Sequence, residues 1–517
     1  MRPCGDETSK FVPTGNVLIR ATLENLAHSM AQDTAPDDQT AESIDPAGAG
    51  REENSFKIVW TLAWPAVALN ALQTINSLLD SYFVQHLSDD ALTAIGAGMT
   101  ASWLLLSLSM AMGVAATAMV ARAFGEGETE KIRETSRRSL GFAVLAGIVL
   151  LLLALPLARP AAAQLIPANA PGAATMMISF LTIVSLSLPA SFIIQTLAGS
   201  LRGIGDTKSP MVISGIQIVL HILLNYLLIF GDHPVSLFGL NFSIPGAGWG
   251  LDGAAWAMTF STWISAVGYV FWCGRTPLGI MWQLRFPGME WTQRIFRLAA
   301  PASLMSIVRV TSLLAFMSIL KLVPEGNVAI GAIRPGFSIE ALAFMPAFGL
   351  AIAASALVGQ SLGMGDPRRA SRLGWMAAHQ AGIVSTVVAA LLFIFADPVA
   401  RTVLHDKPEF AKLTADYIRY ICATETLFGY AMVLISAMQG AGDTVRPFWI
   451  TVVCMWLVRV PLAALLSLER IPIGSFVIPG FGMGASGCWL SMAITQAIQG
   501  LAAIWLWHRG DWKTARV

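Results

Sequence analysis

Apolar stretches long enough to cross a lipid bilayer recur along almost the whole chain, and this pattern limits the possible folds more than any single motif. A membrane-spanning helix needs about 20 mostly apolar residues. Charged residues make up only 13% of the 517 residues, against about 25% in soluble domains. This composition excludes an ordinary cytosolic enzyme, a nucleic-acid-binding protein and a disordered scaffold. The sequence therefore predicts an all-α membrane protein with twelve transmembrane helices. The predicted spans are 57–85, 91–121, 138–158, 172–200, 210–231, 249–273, 296–323, 329–361, 374–396, 413–437, 446–468 and 484–507.

Positive charges are concentrated in the loops on one side of these spans. The stretches 86–98 and 231–250 contain no Lys or Arg. Because Lys and Arg accumulate in cytoplasmic loops, we expect a multi-pass protein of the plasma (inner) membrane with both termini in the cytoplasm. The loop with Arg401, Lys407 and Lys412 runs against this bias. The residues that give the orientation are Arg122, Lys131, Arg133, Arg137, Arg138, Arg202, Lys208, Arg275, Arg285, Arg294, Arg297, Arg368, Arg369, Arg372, Arg509, Lys513 and Arg516.

The two ends of the chain differ in composition from the apolar body. Residues 1–54 are polar and rich in Ala, Asp, Thr and Gly, and they lack the features of a signal peptide. We predict a disordered cytoplasmic tail there, a first lobe over 55–285, a second lobe over 286–508 and a short cytoplasmic tail over 509–517. The five cysteines show no CxxC or Cys/His spacing, so neither a disulfide framework nor a zinc site is predicted.

Four short motifs of the first half recur in the second half, in the same order and about 236 residues later. Each half holds six predicted spans, so both halves begin on the same side of the membrane and are related by a pseudo-twofold axis along its normal. Two such lobes can enclose a central cavity that opens to either side, although a rigid duplicated bundle also fits the repeat. The paired motifs are LAWP (62–65) with LAAP (298–301), ARAFGEGETEK (121–131) with GQSLGMGDPRR (359–369), LRGIGDTKSP (201–210) with MQGAGDTVRP (438–447), and GLDGAAWAM (250–258) with GASGCWLSM (484–492).

The glycine-rich motif at 201–210 is similar to a phosphate-binding loop only superficially. It lacks the GK[ST] ending and lies between two apolar helices rather than after a strand. We predict a tight turn in which glycine supplies the backbone angles, Asp206 caps the next helix and Pro210 fits its first turn.

Taken together, these motifs resemble the multidrug and toxic compound extrusion (MATE) family, over residues 56–507. The resemblance implies two six-helix lobes, export of drugs driven by inward flow of H+ or Na+, and a coupling aspartate in the first span. The matching pieces are Pro65 with Asp80, FVQHLSDDALTAIG, VARAFGEGETEK, LRGIGDTKSPM, HILLNYLLIFG, GWGLDGAAWAM, MPAFGLAIAASALVGQSLGMGDPRRA and MQGAGDTVRP.

A polar stripe in the first span singles out Asp80. A carboxylate at the centre of a span costs about 2.5–3.5 kcal/mol on insertion scales and is a functional candidate by default. Asn70, Gln73, Ser77 and Asp80 follow one another at helical spacing, so they lie on one helix face. We interpret Asp80 as the coupling site for H+ or Na+ and the other three residues as cavity-lining. The alternative is that Asp80 lies near the extracellular end and is simply hydrated.

The fifth span carries a second polar stripe that includes Gln217, His221 and Asn225. The family resemblance aligns His221 and Asn225 with an Asn-xxx-Asp or Asn-xxx-Asn pair, so the histidine departs from the pattern. Histidine titrates near physiological pH, and we assign His221 and Asn225 to the coupling site. The alternative is a histidine hydrogen-bonded within the bundle. We expect Gln217 and Gln195, from the fourth span, to line the same cavity.

The second lobe departs further from the family pattern. Sodium-coupled members tend to carry a glutamate at the seventh-span position that holds Arg309 here. Their tenth-span aspartate aligns with Phe428, one turn from Glu425. We therefore expect coupling through the first lobe, with H+ favoured over Na+. Arg309, Glu340 and Glu425 are predicted to line the cavity, although Arg309 could instead form a buried structural ion pair with either acid.

These observations predict a monomeric secondary active exporter of amphipathic, often cationic small molecules, with no cofactor beyond the coupling ion. One alternative is a lipid-linked precursor flippase, which would need a cationic cavity that only Arg309 and Arg459 suggest. Another is a major-facilitator-type transporter, whose loop after the second span is poorly matched by ARAFGEGETEKIRE. A membrane-embedded enzyme is disfavoured because the sequence lacks HExxH and GxSxG motifs.

Overall fold

Helices account for each of the twelve predicted membrane spans. The computed structural model describes residues 55–84, 87–166, 170–237, 240–244, 246–279, 285–404, 407–473 and 476–515. In these residues nine single helices are long and apolar enough to cross a membrane, and two bent helix pairs add two further spans. The predicted sixth span also forms one continuous helix, Gly250–Cys273. The predicted tail over residues 1–54 lies outside the described residues.

The first half of the described chain, called the N lobe, contains seven helices and one β-hairpin. These elements are α1 (Ser55–Val84), α2 (Asp89–Gly125), α3 (Thr129–Leu165), α4 (Pro171–Ser185), α5 (Leu188–Gly203), α6 (Lys208–Ile229), β1 (His233–Leu237), β2 (Leu240–Ile244) and α7 (Gly250–Cys273).

The second half, called the C lobe, repeats this order with additional breaks. Its elements are α8 (Met289–Leu320), α9 (Gly326–Gly363), α10 (Pro367–Ile394), α11 (Ala396–Val403), α12 (Pro408–Cys422), α13 (Glu425–Gly440), α14 (Val445–Val452), α15 (Val460–Ser467), β3 (Arg470–Ile473), β4 (Phe476–Pro479) and α16 (Ala485–Arg509).

Both halves place an antiparallel hairpin between their fifth and sixth spans. Strand β1 pairs with β2, and β3 pairs with β4. The sequence analysis assigned no strands to these loops, so the internal repeat extends to a feature that was not predicted. Both hairpins lie at the ends of spans opposite the glycine turns that follow the fourth and tenth spans.

Two spans are strongly bent, and their bends have different origins. The fourth span bends by 45° between α4 and α5, just before Pro189, where the ring restricts the preceding backbone. The tenth span bends by 58° between α12 and α13, although no proline lies at that break. The break places Glu425 at the first position of α13.

The eleventh span contains a π-helical segment, Val453–Arg459, between α14 and α15. Pro461 lies two residues beyond its end and cannot donate the usual backbone hydrogen bond one turn back, which favours a wider turn here. The segment ends on Arg459, whose residue surface is only 9% exposed.

The repeated glycine motifs form the tight turns that were predicted for them. Gly205 and Gly442 adopt φ of 90° and 94°, a conformation that suits glycine because a Cβ would clash there. After the first turn, Ser209 N donates to Asp206 Oδ1 at 2.9 Å, which caps α6. The corresponding bond after the second turn, from Arg446 N to the carboxylate of the equivalent aspartate, measures 3.3 Å.

The two lobes pack tightly where α2 crosses α9, at the end that carries the arginine-rich loops. A Cβ added to Gly125 would lie 2.1 Å from Gln360 O, and one added to Gly363 would lie 2.2 Å from Arg122 O. The Gln360 side chain also donates to Gly203 O at 2.9 Å. Glycine at both positions therefore allows direct backbone contact between the lobes.

The end of the chain folds back on the C lobe. The predicted tail over 509–517 begins with the end of α16 and continues as one 3-10 turn, Asp511–Thr514; residues 516–517 lie outside the described part. Trp512 is fully buried and stacks on Trp507, with ring centroids 3.9 Å apart. This segment is thus part of the packed core.

Candidate functional site

A hydrogen-bonded cluster around Asp80 joins α1 to α6 in the N lobe. Asn225 Nδ2 donates to Asp80 Oδ1 at 2.7 Å, and His221 Nε2 lies 3.0 Å from the same oxygen. Asn76 Nδ2 donates to Asp80 Oδ2 at 3.1 Å. The three residues assigned to the coupling site from sequence are therefore in direct contact, and Asn76 is an additional member.

Helical spacing explains how two helices supply four side chains to one point. Asn76 and Asp80 are four residues apart on α1, and His221 and Asn225 are four residues apart on α6. Such pairs lie on the same helix face. Asn225 Nδ2 and His221 Nε2 are also 3.1 Å apart, so the α6 pair meets Asp80 as one polar surface.

The cluster is buried on the α6 side and more accessible on the α1 side. His221 and Asn225 are 9% and 2% exposed, whereas the Asp80 side chain keeps 23% of its surface. An ion can exchange at a carboxylate only if the group is partly accessible to water, because a fully buried carboxylate could not exchange its proton with water. The geometry fits an ion-binding group better than a sealed structural contact.

Several polar atoms around Asp80 have no partner in the described part of the chain. They are His221 Nδ1, Asn225 Oδ1 and Asn76 Oδ1, all buried. Unpaired buried polar atoms are costly, and here two of them are amide oxygens, a ligand type that hard cations accept. The donors satisfy an ionised carboxylate, and the unpaired oxygens add capacity to bind a cation.

Among the candidates whose side chains the structure describes, no hydrogen bond joins Asn70, Gln73, Gln195 or Gln217 to Asp80. Gln217 Nε2 donates to Thr262 of α7 at 3.5 Å, Gln73 is exposed, and Asn70 has a buried Nδ2 with no described partner. The Gln195 amide oxygen lies next to Gly113 of α2: a Cβ added to that glycine would be 3.5 Å from it. The side chain of Ser77 lies outside the described residues.

A second polar network surrounds Glu340 in the C lobe. Tyr417 donates its hydroxyl to Glu340 Oε2, and Gln496 Nε2 donates to Oε1 at 3.2 Å. Thr424 in turn donates to Gln496 Oε1 at 2.9 Å. Glu340 is only 4% exposed, so this carboxyl group lies among the helices and not on an open cavity wall.

The other C-lobe charges differ in their surroundings. Glu425 is fully buried, and neither carboxylate oxygen has a hydrogen-bond partner among the described residues. Arg309 is exposed, and the described contacts contain no ion pair between it and Glu340 or Glu425. The described contacts give no support to a buried structural ion pair for Arg309, because the hydrogen bonds to Glu340 come from Tyr417 and Gln496.

Sequence reasoning missed four members of these networks, for different reasons: Asn76, Tyr417, Thr424 and Gln496. Asn76 is not part of the predicted polar stripe, which passes through the neighbouring Ser77. Its spacing of four residues from Asp80 is nevertheless a signal in the sequence. Tyr417 and Gln496 lie on α12 and α16, far from Glu340 along the chain, so no local pattern could identify them.

Known proteins share the sequence pattern and the fold. The MatE family model matches residues 65–227 and 301–465, one block in each half and together more than half of the chain. The chain is 26% identical over 459 residues to the probable multidrug resistance protein NorM of Thermotoga maritima, covering 88% of this chain and 93% of that protein. It is 25% identical over 437 residues to the multidrug resistance protein MdtK of Yersinia pseudotuberculosis, covering 84% and 91%.

Two solved structures have the same two-lobed arrangement. A crystal structure of MATE in complex with MaL6 matches with a TM-score of 0.77 at 19% identity, covering 88% of this chain and 96% of that one. The outward-facing conformation of a multidrug resistance MATE family transporter of the MOP superfamily matches with a TM-score of 0.77 at 18% identity and the same coverage, 88% and 96%. At these identities the likeness concerns the fold.

Proposed function

Because the chain belongs to the MatE family of efflux transporters, we propose that it is a secondary active exporter of amphipathic, often cationic drug-like molecules, driven by inward flow of H+ or Na+. The names of the NorM and MdtK relatives support a multidrug substrate range. The observation that carries the coupling proposal is the Asp80 cluster, in which two amides and an imidazole meet one partly accessible carboxylate.

Coupling at Asp80 follows from what a proton or Na+ does to these hydrogen bonds. The ionised carboxylate accepts from Asn76 and Asn225, one on each helix. A proton on Asp80 turns one acceptor into a donor, so an amide must rotate or move away. A bound Na+ would instead attract the amide oxygens. Either ion changes the contact between α1 and α6, and H+ is favoured because the imidazole of His221, which can itself accept a proton, lies 3.0 Å from the carboxylate.

Helix α1 can pass this change to the other lobe because it packs on both. Its polar face meets α6 through Asp80, while Ala63 and Val67 contact Gly349 of α9, where an added Cβ would lie 2.4 Å from Val67 Cγ2. An ion that favours one placement of α1 therefore has different affinities in the two conformations of the lobes. That difference in affinity is what couples ion flow to export.

The transporter is proposed to act as a monomer in the plasma (inner) membrane, with both termini in the cytoplasm. The arginine-rich loops support this orientation. The close approach of α2 and α9 then lies at the cytoplasmic end, so the conformation described here is closed to the cytoplasm. A flippase for lipid-linked precursors is less well supported, because Arg459 is buried and leaves only Arg309 to form a cationic cavity.

Transport into vesicles with imposed gradients tests the proposal. Ethidium export by the reconstituted protein is measured with a proton gradient and a sodium gradient applied separately. We expect Asp80→Asn, which keeps the size of the side chain, to abolish gradient-driven export while the protein stays folded. Glu128→Gln serves as the matched control, because Glu128 is exposed and its side chain does not cap α3. Wild-type export by Asp80→Asn under both gradients would reject the assignment.

A further inference from the structure

One end of α10 carries a crevice that faces away from the helix packing and combines a cation with aromatic rings. In the described chain it is lined by Arg372, Trp375, Met376 and His379. These positions follow at steps of three, one and three, so they form one helix face. Arg372 and His379 are exposed, and no hydrogen bond or ion pair to Arg372 is found in the part of the chain that the structure describes.

The imidazole of His379 is held in place by neighbouring rings. Trp375 stacks on His379 with ring centroids 5.5 Å apart. The hydroxyl of Tyr430, on α13, lies 2.7 Å from His379 Nδ1, and the Tyr430 ring packs so closely on Gly382 that a Cβ there would lie 2.4 Å away. His379 Nε2 has no hydrogen-bond partner among the described residues and is left open to a ligand.

An apolar track continues from the crevice along α10 and turns by about 40° around the helix with each step of four residues. Ile383, Val387 and Leu391 are 65%, 56% and 53% exposed, and they follow His379 at steps of four. Helix α10 is one of the membrane-spanning helices, so this track contacts acyl chains. The face therefore offers a positive group, then amphipathic rings, then an apolar stripe, in the order of the parts of a phospholipid.

The spacing along the helix is slightly greater than the thickness of a bilayer interface, so the crevice reaches from the phosphates to the edge of the hydrocarbon core. His379 is seven residues beyond Arg372, or about 10 Å along the axis. The interfacial region on each side of the hydrocarbon core is about 5–8 Å thick. Arg372 can thus lie at the level of the phosphates while His379 lies near the ester groups, and tryptophan prefers this same depth.

We propose that this crevice binds one anionic phospholipid, with its phosphate at Arg372, its glycerol and ester region at Trp375 and His379, and an acyl chain along Ile383. Arg368 and Arg369, in the first turn of α10, add positive charge near the site. Helix α10 contains no Asp or Glu that would compete with the phosphate for Arg372. Assignment to the cytoplasmic leaflet rests on the orientation proposed above; binding of the lipid does not depend on the transport activity.

Lipid retention measured by native mass spectrometry tests this site. The full-length protein in detergent is titrated with phosphatidylglycerol or with phosphatidylcholine of the same acyl chains. We expect a preferred first phosphatidylglycerol, and about fivefold weaker binding of it by Arg372→Gln, since one basic side chain contributes about that factor at an anionic surface. Phosphatidylcholine binding should stay the same.

Arg275→Gln is the matched control, because Arg275 is exposed, follows α7 in the N lobe and belongs to the same set of arginine-rich loops. It should bind phosphatidylglycerol as the wild type does. Equal wild-type affinity for the two lipids would overturn the proposal, and that comparison needs no variant. Equal losses in Arg372→Gln and Arg275→Gln would also overturn it, because they would show general attraction to positive charge.

Discussion

The glycine crossing between α2 and α9 gives a direct test of how the lobes move. In Gly125→Ala the new Cβ would lie 2.1 Å from Gln360 O. An ordinary contact begins near 3.4 Å, so the backbones must separate by about 1.3 Å, the difference between the two distances. No side-chain rotation can relieve this clash, because the atom that the methyl group meets belongs to the main chain.

Overpacking of this kind costs about 1–3 kcal/mol. The cost falls only on the conformation in which the lobes touch at this end, so the ratio of that conformation to the opposite one should fall by about 5- to 150-fold. Alanine also favours the helix slightly over glycine, so the effect should come from the crossing and not from loss of α2 itself.

Spin labels on exposed residues at this end report the distance between the lobes. With labels at Glu128→Cys and Arg368→Cys, we expect Gly125→Ala to lengthen the distance distribution and to lower drug export. Gly96→Ala is the control on the same helix, because no atom lies within 4 Å of its added Cβ. A distribution for Gly125→Ala that matches that of Gly96→Ala would refute the reasoning.

Three further predictions concern single side chains. His221→Asn should alter the pH dependence of export, since it replaces the imidazole 3.0 Å from Asp80 Oδ1 by an amide that cannot take up a proton; an unchanged profile would favour a structural histidine. Glu425→Gln should preserve or raise the thermal stability in detergent, because an unpaired buried carboxyl is replaced by a neutral amide. Glu340→Gln should instead lower the free energy of unfolding by about 1–3 kcal/mol, because the amide offers one acceptor oxygen where two are used. Equal destabilisation of both would contradict this. Arg122→Gln, which loses the 2.7 Å bond from Nη1 to Ala515 O across the lobes, should shift the spin-label distances as Gly125→Ala does, but less; a shift toward shorter distances would count against it.

Local patterns predicted the parts of the fold that depend on local physics. Hydropathy identified the eleven spans that are long and apolar enough to cross a membrane in the described residues, because each helix must satisfy its backbone within itself in a bilayer. The turn at Asp206 was predictable because glycine angles and helix caps involve neighbours in sequence. The pair of Asp80 with His221 and Asn225 required two helices to be brought together, and there the family resemblance supplied the alignment.

Features that depend on distant partners could not be read from the sequence. The break before Glu425 has no proline at it, and the two hairpins have short strands that hydropathy does not distinguish from loops. The network of Glu340 involves three helices whose side chains meet only after folding. In each case the deciding contact is tertiary, so it leaves no periodic pattern along one segment.

The two lobes have the same fold but differ in the exposure and hydrogen-bond partners of their carboxyl groups. This difference favours the N lobe as the site of ion exchange. Asp80 keeps 23% of its side-chain surface and is held by amides that can rotate. Glu340 is 4% exposed and is held by Tyr417 and by a glutamine that is itself bonded to Thr424. An ion can enter and leave the first arrangement with small local movements. The second can release its partners only if several helices separate, so its role is best explained as holding the C lobe together.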